Sequence, residues 1–180
     1  MTQSIIKALG QSAGLLFDSA TEEDLPEILE IYNHAILNTT SQWDYRPHTL
    51  ERRTEWFRAA QRDGYPIIVV REASDPSRRI LGWGSLGTFH AKEGYRFTVE
   101  DSIYVGDGCQ GRGVGKALLK ALIRKAKDMG MKTMIAEIEA EHTISIKMHA
   151  KEGFVEAGRL PAAGYKFDKW LDLVIMQLML

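Results

Sequence analysis

One short run in the chain has the residue types and spacing to hold an anion. It is Gln110-Gly111-Arg112-Gly113-Val114-Gly115-Lys116, set between a strand-like segment and a helix-like segment. Alternate glycines let the backbone approach a ligand closely. The N–H groups of such a turn and of the first helical turn point outward, and the helix dipole adds partial positive charge. Arg112 and Lys116 bring two further cations. A pyrophosphate is the group this chemistry suits.

Three phosphate-binding patterns compete for the run. A Walker A loop needs a glycine five residues before Gly115 and a Ser or Thr after Lys116, where the chain has Gln110 and Ala117. A dinucleotide fingerprint, and with it an oxidoreductase, is spelled by Gly106-Asp107-Gly108-Cys109-Gln110-Gly111 with Asp128 downstream. Gly113 and Gly115 follow, however, so the helix cannot easily open where that fingerprint requires it. The coenzyme A pattern is Gln or Arg, two residues, Gly, one residue, then Gly or Ala. Gln110, Gly113 and Gly115 fill it. A turn that binds nothing is the plain alternative, and five glycines in ten residues over 106–115 carry an entropic cost that speaks against it.

Two further residues have acid–base chemistry. Glu100 lies on the strand that feeds the turn, five residues before Val105. Along an extended strand that is roughly 16 Å, comparable with a stretched pantetheine arm. A carboxylate there, acting directly or through a water, can take the proton an ammonium must lose before it attacks a carbonyl. It can equally be a half-buried strand glutamate paired with a base. Asp101 faces the other way in a regular strand and is the second choice. His149 shares a helix face with His142 and Ser145, at i, i+3 and i+7. An imidazolium can donate a proton near neutral pH, or the ring can simply pack.

The elements that must position these groups follow from periodicity and turn chemistry. Leu15–Asp18 reads as a strand. Thr21 is an N-cap before a helix carrying Leu25, Ile28, Leu29, Tyr32 and Ile36. A second helix after Thr49 is expected to bury Leu50, Trp56, Phe57 and Ala60. Ile67–Arg71 and Ile80–Leu86 form a hairpin about the turn Ser74-Asp75-Pro76-Ser77. Thr98–Val105 is the strand before the glycine turn, and Leu118, Leu119, Leu122, Ala126 and Met129 mark the helix after it. Thr133–Ile138, a short helix over Thr143–Glu152, and strands over Phe154–Leu160 and Leu171–Leu178 complete the chain. The order β-α-α-β-β-β-α-β-α-β-β places the chain in the α/β (α+β) class, a mixed sheet with helices on its faces.

Composition narrows the function. The 180 residues, 44% hydrophobic and 26% charged, suit one domain, expected over 15–180 after an N-terminal extension over 1–14. With 23 basic and 24 acidic residues the net charge is -1, against a general nucleic-acid binder. The Lys116, Lys120, Arg124 and Lys127 face reads as solvated helix surface. No apolar run approaches the ~18 to 20 residues of a membrane span. A single cysteine, Cys109, leaves no disulfide and no zinc framework, so no metal is expected and a reducing cytoplasm suits the chain.

Taken together, these segments resemble the GNAT superfamily of N-acetyltransferases. They are most similar to its phosphinothricin acetyltransferase branch, which includes enzymes acting on methionine sulfone and sulfoximine. The resemblance rests on Ala20–Leu25, Ile31–Ala35, Gly94–Val105, the Gln110–Gly115 turn, His149–Phe154 and Lys166–Leu173. It implies acetyl-coenzyme A as co-substrate and direct attack by a small amino-acid-like amine, so that Cys109 is incidental. It implies a mostly antiparallel twisted sheet in which Thr98–Val105 carries a bulge and splays from Thr133–Ile138 to admit pantetheine. Backbone N–H groups near Ile103, Tyr104 and Val105 would then face the thioester carbonyl, and Gly111, Arg112, Val114 and Lys116 would join the diphosphate grip. By the same resemblance Glu100 is the general base, and His149 stands where a proton donor to the leaving thiol is proposed.

His142 and Ser145 fall on the pantetheine path, with His142 replacing a usual asparagine. Glu152 replaces a usual leucine. Phe89, His90, Lys92, Tyr95 and Thr98 fall where the acceptor is contacted, with Trp43 and Tyr45 able to close the pocket. The segment with Trp170, Leu171 and Leu173 implies a homodimer. A non-catalytic acyl-coenzyme A sensor is the remaining alternative.

Overall fold

Along the central strands, alternate residues are apolar in both directions, which requires cover on both faces of a sheet. In Ile67–Glu72, Ile68 and Val70 join one buried cluster while Ile67 and Val69 join another. The computed structural model describes residues 14–180 and answers that requirement with helices on both sides of one sheet. Of the extension expected over 1–14, all but Gly14 lies outside the described residues.

The strands are β1 (Leu15–Ser19), β2 (Ile67–Glu72), β3 (Ile80–Thr88), β4 (Thr98–Val105), β5 (Thr133–Glu139), β6 (Val155–Lys166) and β7 (Lys169–Met179). The helices are α1 (Leu25–Asn38), α2 (Leu50–Arg62), α3 (Val114–Asp128) and α4 (Thr143–Lys151), with 3-10 turns at Glu22–Asp24 and Glu93–Tyr95. The seven strands run in the order β1-β2-β3-β4-β5-β7-β6. Among the described residues, only the β4–β5 pair is parallel.

That pair positions the site. β4 and β5 match at only three positions, Thr98 with Thr133, Val99 with Met134 and Glu100 with Ile135. Beyond Glu100, β4 stays on β3 through Val105 while β5 follows β7 from Thr133 to Glu139, so the two part. The splay is therefore present. The bulge expected in β4 is not: its register against β3 is unbroken from Val99 to Val105, and the irregularities fall at Val70/Arg71 and in the β6–β7 pair. The gap opens because β5 is drawn away by β7, with no extra residue in β4.

Alternation divides β4. Val99 lies in the core beneath α3 and α4, with Ile103 and Val105 packed against it, whereas Tyr104 packs with Trp83 and Tyr32 beneath α1 and α2. Glu100 and Ser102 share the Tyr104 face, and Asp101 shares the Ile103 face. Gly82 and Gly84 of β3 bring α3 close: a Cβ on Gly82 would stand 2.9 Å from Val114 Cγ1.

Local expectations fail in two places. Leu50, expected inside, is exposed, and Trp56 is half-buried. The buried face of α2 instead carries Arg53, Phe57 and Ala60 at helical spacing. The last two strands are longer than expected, because the hairpin continues through Gly164 and turns at Phe167 and Asp168, both at positive φ.

Candidate active site

The glycine turn and the helix after it form the first half of the site. Gly111 and Gly113 take φ of 76° and 79°, the left-handed region open to glycine at little steric cost, and Gly113 is the N-cap of α3. Among the described residues, no N–H from Gln110 to Lys116 has an intrachain hydrogen-bond acceptor. A row of outward amides at a helix N-terminus, next to the β4–β5 gap, fits a diphosphate with an extended arm running into the gap. Lys116 is exposed there. Arg112 turns away, pairing with Glu72 at 3.0 Å. α3 opens at Val114, three residues beyond Gly111, which overturns the dinucleotide fingerprint and the oxidoreductase it carried.

The second half lies on the α1–α2 face. Glu100 stands between Gly87 on β3 and Ile135 on β5, at the last matched rung before the gap. A Cβ on Gly87 would meet nothing within 4 Å, so space is open beside the carboxylate. Burial pushes the Glu100 carboxyl up to about 7, and the Glu137 and Asp101 charges add to it. Glu139, buried on the same side of β5, accepts from Thr40 Oγ1 at 3.2 Å and from the Glu141 N–H at 2.9 Å.

His149 is placed differently from the simple expectation. It is 3% exposed, and both ring nitrogens face acceptors. Nδ1 lies 2.8 Å from the Ser145 carbonyl oxygen and 3.3 Å from Ser145 Oγ, while Nε2 lies 3.2 Å from Asp101 Oδ2. A carbonyl can only accept, so Nδ1 carries a proton. Facing a carboxylate, Nε2 favours one too. Burial works to lower the imidazole pKa, but the Asp101 hydrogen bond and charge and the Ser145 carbonyl outweigh it and raise it above the ordinary value. His142 is the exposed N-cap of α4 and makes no side-chain hydrogen bond to that network, so Ser145 alone of the expected pair reaches His149. Glu152, the departure at a usual leucine, reaches Lys120 of α3 at 3.8 Å.

The expected acceptor contacts divide into two groups. Phe89, His90 and Tyr95 cluster, with ring centroids 4.3 to 5.6 Å apart, on the loop before β4. His90 and Lys92 are exposed, and Thr98 is half-buried two residues before Glu100 on its face. Trp43 donates its indole N–H to the Thr40 carbonyl at 2.9 Å and lies on Gly164, where a Cβ would come within 2.5 Å of the ring. Tyr45 donates to the Tyr165 carbonyl. Lys166, 2% exposed, donates to the Thr39 carbonyl at 2.8 Å and to that of Gln42. The loop after α1 is thus fastened to the β6–β7 hairpin, and Trp43 serves that fastening. The sequence did not single out Arg53, Gln42 or the acids of β5. For Arg53 a signal existed: a cation four residues before Phe57 on the apolar stripe of α2.

Comparison with known proteins agrees with this geometry. Residues 27–154 match the acetyltransferase (GNAT) family, and the chain belongs to that family. It is 47% identical over 155 residues to the L-methionine sulfoximine/L-methionine sulfone acetyltransferase of Pseudomonas paraeruginosa, covering 86% of this chain and 88% of the relative. It is 40% identical over 161 residues to the L-amino acid N-acyltransferase MnaT of Escherichia coli, covering 89% and 92%. Among solved structures, the phosphinothricin acetyltransferase of Sinorhizobium meliloti in complex with acetyl-coenzyme A superposes with a TM-score of 0.89 at 34% identity, covering 93% of this chain and 89% of that one. The protein is an N-acetyltransferase that uses acetyl-coenzyme A as donor. Among the described residues there is no cluster able to hold a metal, and no helix is long and apolar enough to cross a membrane.

Proposed function

We propose that this chain acetylates the amine of a small amino-acid-like acceptor of the methionine sulfone, methionine sulfoximine or phosphinothricin type. Glu100 is the general base and His149, held by Asp101, the proton donor. The observation that carries the reading is Glu100 itself. A carboxyl with a pKa of about 7, beside open space and at the mouth of the strand gap, has the right proton affinity to strip an ammonium near neutral pH. The names and identity levels of the relatives support the acceptor class.

The bound donor supplies an acyl group activated as a thioester. The amides from Gly111 to Lys116 hold its diphosphate, and those of Ile103 and Val105 border the gap, whereas the expected Tyr104 N–H faces β3 in the alternating antiparallel ladder. Glu100 receives a proton from the acceptor ammonium. His149 gives up its Nε2 proton to the departing sulfur, leaving the Asp101 contact to do so. The negative face formed by Glu100, Glu137 and Glu139 favours a cationic ammonium in that position.

A cytoplasmic homodimer is the further part of the proposal. It is supported by the exposed Phe167 and Trp170 on the β6–β7 hairpin at the sheet edge. The test is thiol release from acetyl-coenzyme A over methionine sulfone, methionine sulfoximine, phosphinothricin and common polyamines. The proposal expects turnover with an amino acid of the panel. Tight donor binding with no thiol released by any amine would make the chain a sensor instead.

A further inference from the structure

Beneath α1 and α2 lies a cavity of about 240 Å3, with Gln42, Arg53, Trp83, Ser85, Ser102 and Tyr104 in its lining. Arg53 is 3% exposed, and its Nε and Nη2 have no hydrogen-bond partner. The Trp83 indole N–H is likewise buried and unpartnered. Aromatic rings cover the guanidinium, with Cζ 3.8 Å from the Tyr32 centroid and 4.6 Å from that of Trp56. Stacking stabilises the charge but leaves the Nε and Nη2 N–H groups without acceptors, a state that costs free energy in a protein interior. Among the described residues no carboxylate lines the cavity, and Arg52 is a second cation in its lining. A pocket of unused donors around a buried cation is complementary to an oxyanion.

The cavity also lies in line with the base. Ser102 and Tyr104 follow Glu100 on the same face of β4, at about 7 and 14 Å along the strand. In an amino acid bearing a sulfonyl group on its γ carbon, four bonds or about 5 Å separate amine and sulfur. Adding a hydrogen bond of about 2.9 Å at each end spans from Glu100 into the cavity. The exposed loop with His90 and Lys92 offers no comparably desolvated donor.

We propose that Arg53, with the Trp83 N–H, is the oxyanion-binding and specificity-determining site for the acceptor, drawing a sulfonyl, phosphinyl or carboxylate oxygen into this cavity while the ammonium lies at Glu100. This rests on the acceptor being an amino acid, as proposed above. It makes the acceptor's orientation a property of the buried α2 arginine, with the surface loop secondary.

Three acceptors separate the sources of the oxyanion: methionine sulfone, norleucine, which lacks the sulfone, and 3-(methylsulfonyl)propylamine, which lacks the carboxylate. For Arg53→Met at saturating acetyl-coenzyme A, the KM for methionine sulfone is expected to rise at least tenfold. The KM for acetyl-coenzyme A should stay unchanged and kcat should move less than threefold. Arg53→Lys should recover part of the loss. If norleucine also loses affinity and the sulfonylamine does not, the bound oxygen is the carboxylate; the reverse pattern makes it the sulfonyl. Trp83→Phe keeps the ring and removes only the donor, and should raise the same KM by a smaller factor even where Arg53→Met does not fold. Titration with the product N-acetylmethionine sulfone, followed by tryptophan fluorescence, gives the same ranking without turnover. Values within twofold of wild type for all three acceptors in both variants would overturn the assignment, as would equal losses for acceptor and acetyl-coenzyme A accompanied by a lower melting temperature in Arg53→Lys. If the wild-type chain acetylates none of the three, the amino-acid reading falls first and takes this one with it; turnover without an Arg53 effect removes this one alone.

Discussion

The proposed donor half and acceptor half of this site are built from different materials. The donor half is backbone: outward amides from Gln110 to Lys116 and a gap between β4 and β5 that exists because β5 follows β7. The acceptor half is side chain, with Glu100 from β4, Glu139 from β5, Arg53 from α2, and a loop after α1 fastened by Lys166 of β6. A backbone site recognises what is common to all its ligands and tolerates side-chain drift. A side-chain site can change its ligand one residue at a time. The family's shared donor and varied acceptors follow from that division of labour.

The division can be broken on either side. The largest effect is expected from Glu100→Gln, which keeps shape and removes the proposed base. The kcat should fall by about 10²- to 10⁴-fold, while the acetyl-coenzyme A Kd from calorimetry stays within twofold. A comparable loss of donor binding would mean the two halves are not separate. Next comes Gly113→Val, a β-branched side chain at φ 79°. Its strain, about 1–2 kcal/mol or more, should weaken acetyl-coenzyme A binding by roughly tenfold and leave the acceptor KM at saturating donor unchanged.

A smaller effect is expected at the seam between the halves. The His149 pKa is raised in the folded state, so the associated stability is present below the unfolded value near 6.5. It is lost as pH rises through the higher folded value. Asp101→Asn should flatten that decline in thermal melts as pH rises above about 6.5. An unchanged slope would mean that the Nε2 contact at 3.2 Å does not hold the proton.

The same division explains what the sequence made legible. The turn was readable because its chemistry is local: Gln110, Gly113 and Gly115 are adjacent in the chain and in space. The helix and strand order was readable because the apolar periods of α1, α3 and the central strands are uninterrupted. Glu100 was readable only as a strand carboxylate, since its raised pKa depends on Glu137 and on burial that a single strand does not encode. The bulge expected in β4 was absent because the gap arises from strand pairing elsewhere. Arg53 escaped notice because a cation on an apolar helix face is normally read as exposed, and its cage draws on Tyr32, Trp56 and Trp83 from three elements. Trp43 and Lys166 are separated by most of the chain, so no spacing rule could have joined them.

The central claim is that a half-buried strand carboxylate with elevated proton affinity drives the reaction, and the pH dependence of kcat/KM for methionine sulfone tests it most directly. The wild-type profile should rise with a limb centred near pH 7, matching Glu100 at about 7, and Glu100→Gln should lose that limb along with the rate. A limb that persists unshifted in Glu100→Gln would assign the base to another group and contradict the account.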